Sequence, residues 1–491
     1  MTIARLLCVP FLTAFILLIP WPRKWMRCIF TVAGTLLAVS GWTLVFGPRL
    51  EPRVSAFGGN LILDSLSAVF VLLIVTIGFL SNIYASGYLF KEGPAELSLG
   101  RLRRYAFFFF IFLFTMLVTV LSNNLGLMWI AIEATTLASA FLVNVDDKKS
   151  SIEAAWKYLI LCTVGIALAL LGIILVYYSI ASRISAGEGG AFLNWTFLMD
   201  KAKMLDPQII KLAFIFILVG YGTKMGLAPF HSWLPDAHSQ APGPVSALLS
   251  GVLLSCASFS LLRFHILTKA VTGSLFSDNL LRLFGVFSVA VAVPFIWEQT
   301  DYKRVLAYSS VEHMGLVAIG LGIGGAWGSY GAILHVVNHA FTKSLLFFCA
   351  GHLLYQFQTK EIKKIQGIFR KDAFLGSIFF LAVLAAAGMP PFSIFLSEFF
   401  ILTACFSAKK FFIGAILLFL LVLIFAGFLR QASQMTFGSY NGPPLQRERS
   451  VLMDSVLGIG IFIIFVMGFY IPGPLHALIE QAGLLMGGRI P

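Results

Sequence analysis

The chain has 491 residues, of which 59% are hydrophobic and only 12% charged, and its mean hydropathy is +0.91. A soluble protein of this length needs far more polar surface, so the composition excludes one and specifies an integral membrane protein. The formal charge of +13 resides mostly in short loops between apolar runs, where basic residues act as topology signals, and it assigns no nucleic-acid partner.

Apolar windows of about 20 residues predict spans near 3–20, 26–46, 62–86, 104–121, 124–144, 152–178, 208–235, 243–262, 283–297, 304–324, 329–355, 373–405, 411–429 and 451–471. The first resembles a signal peptide but has no small-residue cleavage site before WPRKWMR, and it reads as a retained helix. In the seventh, the run Ile209–Val219 leads into Lys224 and then Pro229, Pro235, Pro242 and Pro244, each of which removes a backbone donor. The twelfth carries Gly388-Met389-Pro390-Pro391 ahead of Ser397-Glu398. Both helices are expected to be interrupted. Broken backbone at membrane depth is tolerated only where it is buried in protein or lines a wet cavity, and an intramembrane lysine costs roughly 2.5–3.5 kcal/mol on insertion scales. Break and charge coincide, which points to an ion path.

Two broken helices five spans apart suggest a repeat, and five-helix units repeat with inverted topology. The expected fold is an all-α integral membrane protein of about fourteen transmembrane helices, with two inverted five-helix repeats and two discontinuous helices. Its expected divisions are residues 1–100 (helices 1–3), 101–265 (first repeat, helices 4–8), 278–430 (second repeat, helices 9–13) and 431–491 (helix 14 and tail). The larger share of Lys and Arg falls on the side of residues 21–27, which places both termini away from the cytoplasm. No loop is long enough for a soluble catalytic domain, and no P-loop or dinucleotide fingerprint occurs. The six cysteines have no paired spacing, so neither a disulfide framework nor a zinc site is expected.

Charges inside the spans carry the chemistry, because at membrane depth such groups face the bundle interior and mark pathways. Glu133 lies in the fifth span with no neighbouring cation, and Lys224 is its natural partner. Lys157 has two readings, a path residue or an interfacial i,i+4 pair with Glu153. His335, His339 and Lys343 recur every four residues on one face of the eleventh span, and Glu398 follows the second break. Glu312, next to His313, reads equally as a membrane-surface residue. The remaining histidines, among them His231, His238, His313 and His352, suggest no second facing pair. Carboxylates, buried lysines and imidazoles make a ladder of exchangeable proton sites. The rival from another class is a haem-bearing electron carrier ligated through His335 or His339.

The runs LGLMWIAIEATTLASAF around Glu133, GTKMGLAPFHSWLPDAHSQAPGPVSALLSG around Lys224, DYKRVLAYSSVEHMGL at 301–316, HVVNHAFTKSLLFF at 335–348 and GMPPFSIFLSEF at 388–399 closely resemble the antiporter-like membrane subunits. That family serves respiratory complex I, Mrp-type cation/proton antiporters and membrane-bound nickel–iron hydrogenases. The resemblance implies a fourteen-helix fold with a half-channel in each repeat, Glu133 and Lys224 central to the first and His335, Lys343 and Glu398 belonging to the second. It implies a proton-translocating, non-catalytic subunit of a multisubunit redox-driven complex, without a redox cofactor or metal of its own, in the cell inner membrane. Its partners are then other membrane subunits and a peripheral redox arm, with protons and conceivably Na+ or K+ as cargo. A cation/proton antiporter module of an Mrp-type assembly and a membrane subunit of an inorganic-carbon uptake system are the alternatives. Two departures stand out. Ser255 occupies the eighth span where relatives often carry a linking lysine, so water or His265 has to make the lateral connection. The chain also ends soon after the fourteenth span, without the long lateral helix of the largest complex I relative.

Overall fold

The computed structural model describes residues 3–47, 53–90, 97–183, 192–273, 275–439 and 450–487. Arg49, Lys91, Arg447, Arg449 and Arg489, part of the charge balance behind the orientation argument, lie outside them.

The first third of the chain holds α1 (Ile3–Ile16), α2 (Arg23–Phe46), α3 (Ser65–Tyr88), α4 (Leu99–Leu121), α5 (Leu125–Val143) and α6 (Lys149–Ala181). After the short α7 (Trp195–Asp200) come α8 (Pro207–Met225), α9 (Trp233–Gln240), α10 (Gly243–Leu248), α11 (Leu254–Thr272) and α12 (Leu275–Glu298). Next are α13 (Tyr302–Ile323), α14 (Gly325–Phe357), a one-turn α15 (Ile368–Lys371), α16 (Ala373–Ala386) and α17 (Ser393–Ser407). The chain closes with α18 (Phe411–Phe437), α19 (Val451–Phe469) and α20 (Gly473–Leu485). Twelve segments among the described residues are long and apolar enough to cross a membrane, with α10 and α11 counted as one, and α1, α16 and α17 are shorter apolar helices. Taking α16 and α17 as one interrupted crossing, this is consistent with the fourteen expected. The protein is an all-α, multi-pass membrane protein. Its only described strands, β1 (Val54–Ala56) and β2 (Leu61–Leu63), form a small antiparallel hairpin that sequence reading did not foresee.

Burial sorts the helices. Almost every residue of α11, α13 and α14 is enclosed by protein, whereas α6, α18 and α19 turn Trp156, Phe412, Phe419 and Phe462 outward. An apolar belt of that extent on a folded surface belongs in lipid. Inside, small residues set the helix spacing, as they do where no hydrophobic drive separates helix from lipid. A Cβ on Gly243 would lie 2.8 Å from the Cα of Gly351, so α10 and α14 meet backbone to backbone.

The two expected breaks are present, and they end in the same way. After α8, Gly226 turns to φ +83°, its N–H bonds to Thr223 O at 3.2 Å, and the next N–H, of Leu227, reaches back to Gly222 O at 2.8 Å. After α16, Gly388 turns to φ +73°, its N–H bonds to Ala385 O at 3.2 Å, and Met389 N–H reaches Leu384 O at 3.1 Å. Both are Schellman stops, in which a left-handed glycine satisfies the last helical carbonyls. Glycine therefore ends each half-helix, and the prolines credited from sequence follow in the turn. After α9, α10 passes through a π-helical turn, Leu249–Leu253, into α11.

Two polar clasps position the bundle. Arg263 on α11 pairs with Asp64, the N-cap of α3, at 2.8 Å, donates to Ser67 Oγ at 3.0 Å, and lies over the Trp195 ring. The start of α13 grips α9: Lys303 Nζ donates to Ala241 O at 2.6 Å, Ser239 Oγ donates to Asp301 at 2.7 Å, and Arg304 pairs with Asp236. Beyond α19, where the sequence indicated only a tail, α20 packs against α3 and α14, with Tyr330 OH 2.7 Å from His476 Nδ1.

Candidate functional site: two buried polar clusters beside the breaks

The first cluster sits where α5, α6 and α8 meet. Lys224, one residue before the end of α8, is wholly enclosed. Its Nζ donates to Thr136 Oγ1 at 2.5 Å and to Tyr158 OH at 3.0 Å, and it lies 5.0 Å from the Tyr158 ring centre. Thr136 in turn donates to Glu133 Oε2 at 3.4 Å, and Thr163 donates to Glu133 Oε1 at 2.7 Å. Lys224 and Glu133 are thus joined through one threonine hydroxyl, with no direct ion pair among the described residues. The direction of donation is fixed, because an ammonium can only donate and an ionised carboxylate can only accept. Tyr158 OH, accepting from Lys224, is left to donate to Ser139 Oγ at 2.7 Å, and Ser139 donates on to Thr135 O at 2.6 Å.

Lys157 does not join this group. Half-exposed, it pairs with Glu153 at 2.6 Å and lies 3.6 Å from Asp236, the geometry of the interfacial reading and not of the path reading. Its sequence neighbour Tyr158 is the residue that faces inward.

The second cluster lies between α13, α14 and α17. His335 Nδ1 is 2.9 Å from Ser397 Oγ, and His335 Nε2 is 3.1 Å from His313 Nδ1. Ser397 donates its hydrogen to Ile394 O at 2.9 Å, so it accepts from His335 Nδ1–H, and His335 Nε2 in turn accepts from His313 Nδ1–H. His313 Nε2 is left as a buried lone pair without a partner. His339 donates from Nε2 to Ser250 O at 3.2 Å, a carbonyl within the π turn, and Ser250 Oγ shares a 2.7 Å hydrogen bond with Ser310. A π turn shifts backbone carbonyls out of register and recurs at functional sites. Lys343 reaches across to α13, where its Nζ donates to Leu306 O at 3.2 Å and to Ser309 Oγ.

Glu398 sits five residues into α17 with its carboxyl against the stop of α16. A Cβ at Gly388 would lie 2.1 Å from Glu398 Oε2. Glu312 is also enclosed, which removes the membrane-surface reading, and its Oε1 is 3.6 Å from His313 Nδ1. One ligating atom each from Glu312, His313 and Glu398 lie within 4.8 Å of one another.

His313 is the residue the sequence reading passed over, and the expectation of no second facing histidine is corrected by its contact with His335. The only local signal was its position beside Glu312. At 3.1 Å the two rings leave no room for a haem between them. His265 and Ser255 stay outside both clusters: His265 Nε2 is 3.5 Å from Asp278, and Ser255 Oγ donates back to Gly251 O at 2.9 Å within its own helix.

Residues 122–425, which hold both clusters, match the family described as NADH:quinone oxidoreductase/Mrp antiporter, transmembrane. The chain belongs to this family. Residues 56–95 additionally match the family described as the N-terminus of NADH-ubiquinone oxidoreductase (complex I) chain 5. The hydrogenase-4 component F homolog of Methylacidiphilum infernorum is 37% identical over 466 residues, 94% of each chain. It bears out the resemblance to the antiporter-like membrane subunits, among them those of membrane-bound hydrogenases. NADH-quinone oxidoreductase subunit N of Desulforudis audaxviator is 28% identical over 91% of this chain and 85% of its own. Among solved structures, a chain of an archaeal membrane-bound sulfane sulfur reductase superposes with TM-score 0.85 at 22% identity, covering 99% of this chain and 97% of that one. A chain of the Mrp complex from Dietzia sp. gives 0.85 at 15% identity, covering 99% and 96%. These likenesses show that the family shares the fold described above.

Proposed function

We propose that the chain is a proton-translocating subunit of a multisubunit redox-driven membrane complex of the hydrogenase or complex I kind. Its partners are then other membrane subunits and a peripheral redox arm, and its place is the cell inner membrane with both termini on the non-cytoplasmic side. The observation that carries this reading is the oriented, wholly enclosed line from His313 through His335 to Ser397, with Lys343 and Glu398 on either side of it and a broken helix at its end. The 37% identity to a hydrogenase-4 component F homolog favours a redox-driven complex over a free-standing antiporter.

Two units of five spans, within residues 101–265 and 278–430, each hold one cluster, and we take them as inverted repeats. Those boundaries fall inside α4, α11, α12 and α18, so the units run to the ends of these helices. In the first, a proton passes between Glu133 and Lys224 through Thr136. In the second, the imidazoles and Lys343 hand it towards Glu398, the terminal site. No hydrogen bond joins Lys343 to His339, so water completes that step. Neither Ser255 nor His265 touches a cluster, so a lateral connection between them also runs through water. Moving one charge against 100 mV requires about 2.3 kcal/mol, which the redox partner supplies by rearranging charge near these groups.

Glu398→Gln tests the reading in sealed vesicles carrying the assembled complex. Assembly and partner turnover with artificial acceptors are expected to persist while proton translocation is lost. Pumping at the wild-type stoichiometry would make Glu398 structural and overturn the route through the second unit.

A further inference from the structure

We infer that Glu312 and Glu398 hold a single proton between them, making Glu312 the second carboxyl of the terminal site. The inference rests on the reading of Glu398 as that site. Glu312 is 1% exposed and neither of its oxygens has a hydrogen-bond partner, although a buried carboxylate ordinarily collects several. Its ligating atom is within 4.8 Å of that of Glu398, itself 7% exposed. Like charges at that separation inside a protein do not both persist, and such pairs settle by sharing one proton.

The surrounding charges agree with a count of one. On its own helix Glu312 has His313 beside it, oriented as a neutral imidazole by its bond to His335. From α14 come His335 and His339, both held by neutral hydrogen bonds, and Lys343, whose ammonium is fixed at Ser309, one helical turn before Glu312. From α17 comes Glu398. Where α12 meets α13 beside Glu312, Ser288 and Val289 pack on Gly315, and Arg282 enters further along, at Gly322. On α9, Asp236 is engaged by Arg304, and His238 is stacked on Phe347. Two ionised carboxylates would leave an uncompensated negative charge in a dry interior, which is costly. With one proton, the pair carries a single negative charge opposite the single ammonium of Lys343.

In this arrangement the pair accepts a second proton, and returns to the singly protonated state when one leaves towards the surface. Only protons move, and the charge of the pair alternates between minus one and zero.

The test uses the assembled complex in sealed vesicles with Glu312→Gln, Glu398→Gln, the double variant and Glu312→Asp. Translocation and the infrared band of protonated carboxyls are read together. A shared proton predicts that each Gln variant lowers translocation at least tenfold and alters the band. It also predicts that the double variant is no worse than either single one and that Glu312→Asp restores both signals in part. If Glu312→Gln pumps as wild type with the band unchanged while Glu398→Gln does not pump, the inference fails and the proposed function stands. If Glu398→Gln also pumps as wild type, the proposed function fails first. If Glu312→Gln does not assemble, Glu312→Asp decides: an unaltered band and wild-type pumping in it overturn the sharing, and a shifted band supports it. Saturable binding of Na+ or Zn2+ to the wild-type complex that Glu312→Gln abolishes would mean that a metal cation, not a proton, sits between the carboxyls.

Discussion

The two clusters solve one problem with different chemistry. Beside the first break, a single enclosed ammonium is answered by hydroxyls, and its carboxylate partner is only half-buried on α5, next to the outward-facing Ile130 and Leu137. Beside the second, three imidazoles, an ammonium and two carboxylates are all enclosed. Hydroxyl bridges carry a proton but do not store one, whereas imidazoles and paired carboxylates do both. The first unit is therefore built around one charge that must be compensated, and the second around a reservoir.

The largest effect should come from reversing the order in which the first pair is broken. Glu133→Gln leaves wholly enclosed Lys224 without its counter-charge; breaking a fully buried pair costs about 3–5 kcal/mol, and the half-burial of Glu133 and the intervening Thr136 hydroxyl put this loss below that range. A thermal melt of the assembled complex should show a larger drop for Glu133→Gln than for Lys224→Met, because Glu133 keeps its hydrogen bonds from Thr136 and Thr163. Equal drops would erase the asymmetry drawn between the clusters.

Next comes the second break. Gly388→Ala puts a methyl where Glu398 Oε2 lies and asks a non-glycine residue for φ +73°, a left-handed conformation that costs about 1–2 kcal/mol. Translocation should fall nearly as far as in Glu398→Gln while partner turnover persists. Gly226→Ala also strains its backbone but meets only Leu234 Cδ1, at 2.8 Å, and no ionisable group. It should lower stability comparably and spare the second route.

Thr136→Val, nearly the same shape without the hydroxyl, leaves Lys224 with Tyr158 alone. Losing a hydrogen bond to a charged group costs about 1.5–3 kcal/mol, read as a melt shift and a reduced translocation rate that Thr136→Ser restores. The smallest effect belongs to Lys157→Met: an exposed i,i+4 pair contributes little to stability, and translocation should remain at wild type. A clear loss there would return Lys157 to the path.

The breaks were legible because proline and an intramembrane charge are local signals. Even so, the residues that stop the helices are Gly226 and Gly388, whose role depends on a backbone conformation that composition does not display. Lys224, Lys343 and Glu398 were legible because burying a charge is too costly to be incidental. His313 was not, since its meaning depends on the register of α13 against α14, a non-local fact. Lys157 kept two readings because one residue turns a helix by about 100°, and the sequence does not say that Tyr158, its neighbour, is the one that points inward. The link through Thr136 was invisible for a similar reason: threonine is common in apolar helices, and nothing in the sequence says that this one lies between two charges.

The grip of α13 on α9 has a mechanical meaning. Lys303, Asp301 and Arg304 fasten the half-helix that follows the first break to the foot of the helix that carries Glu312 and His313 about two and a half turns higher, about 14 Å along its axis. A continuous helix of that length transmits displacement as a stiff rod. A small tilt of α9 driven from the first cluster therefore arrives at Glu312 as a change in its distance from Glu398, on a different helix. The two clusters are thereby joined through a rigid element even where no chain of hydrogen bonds connects them.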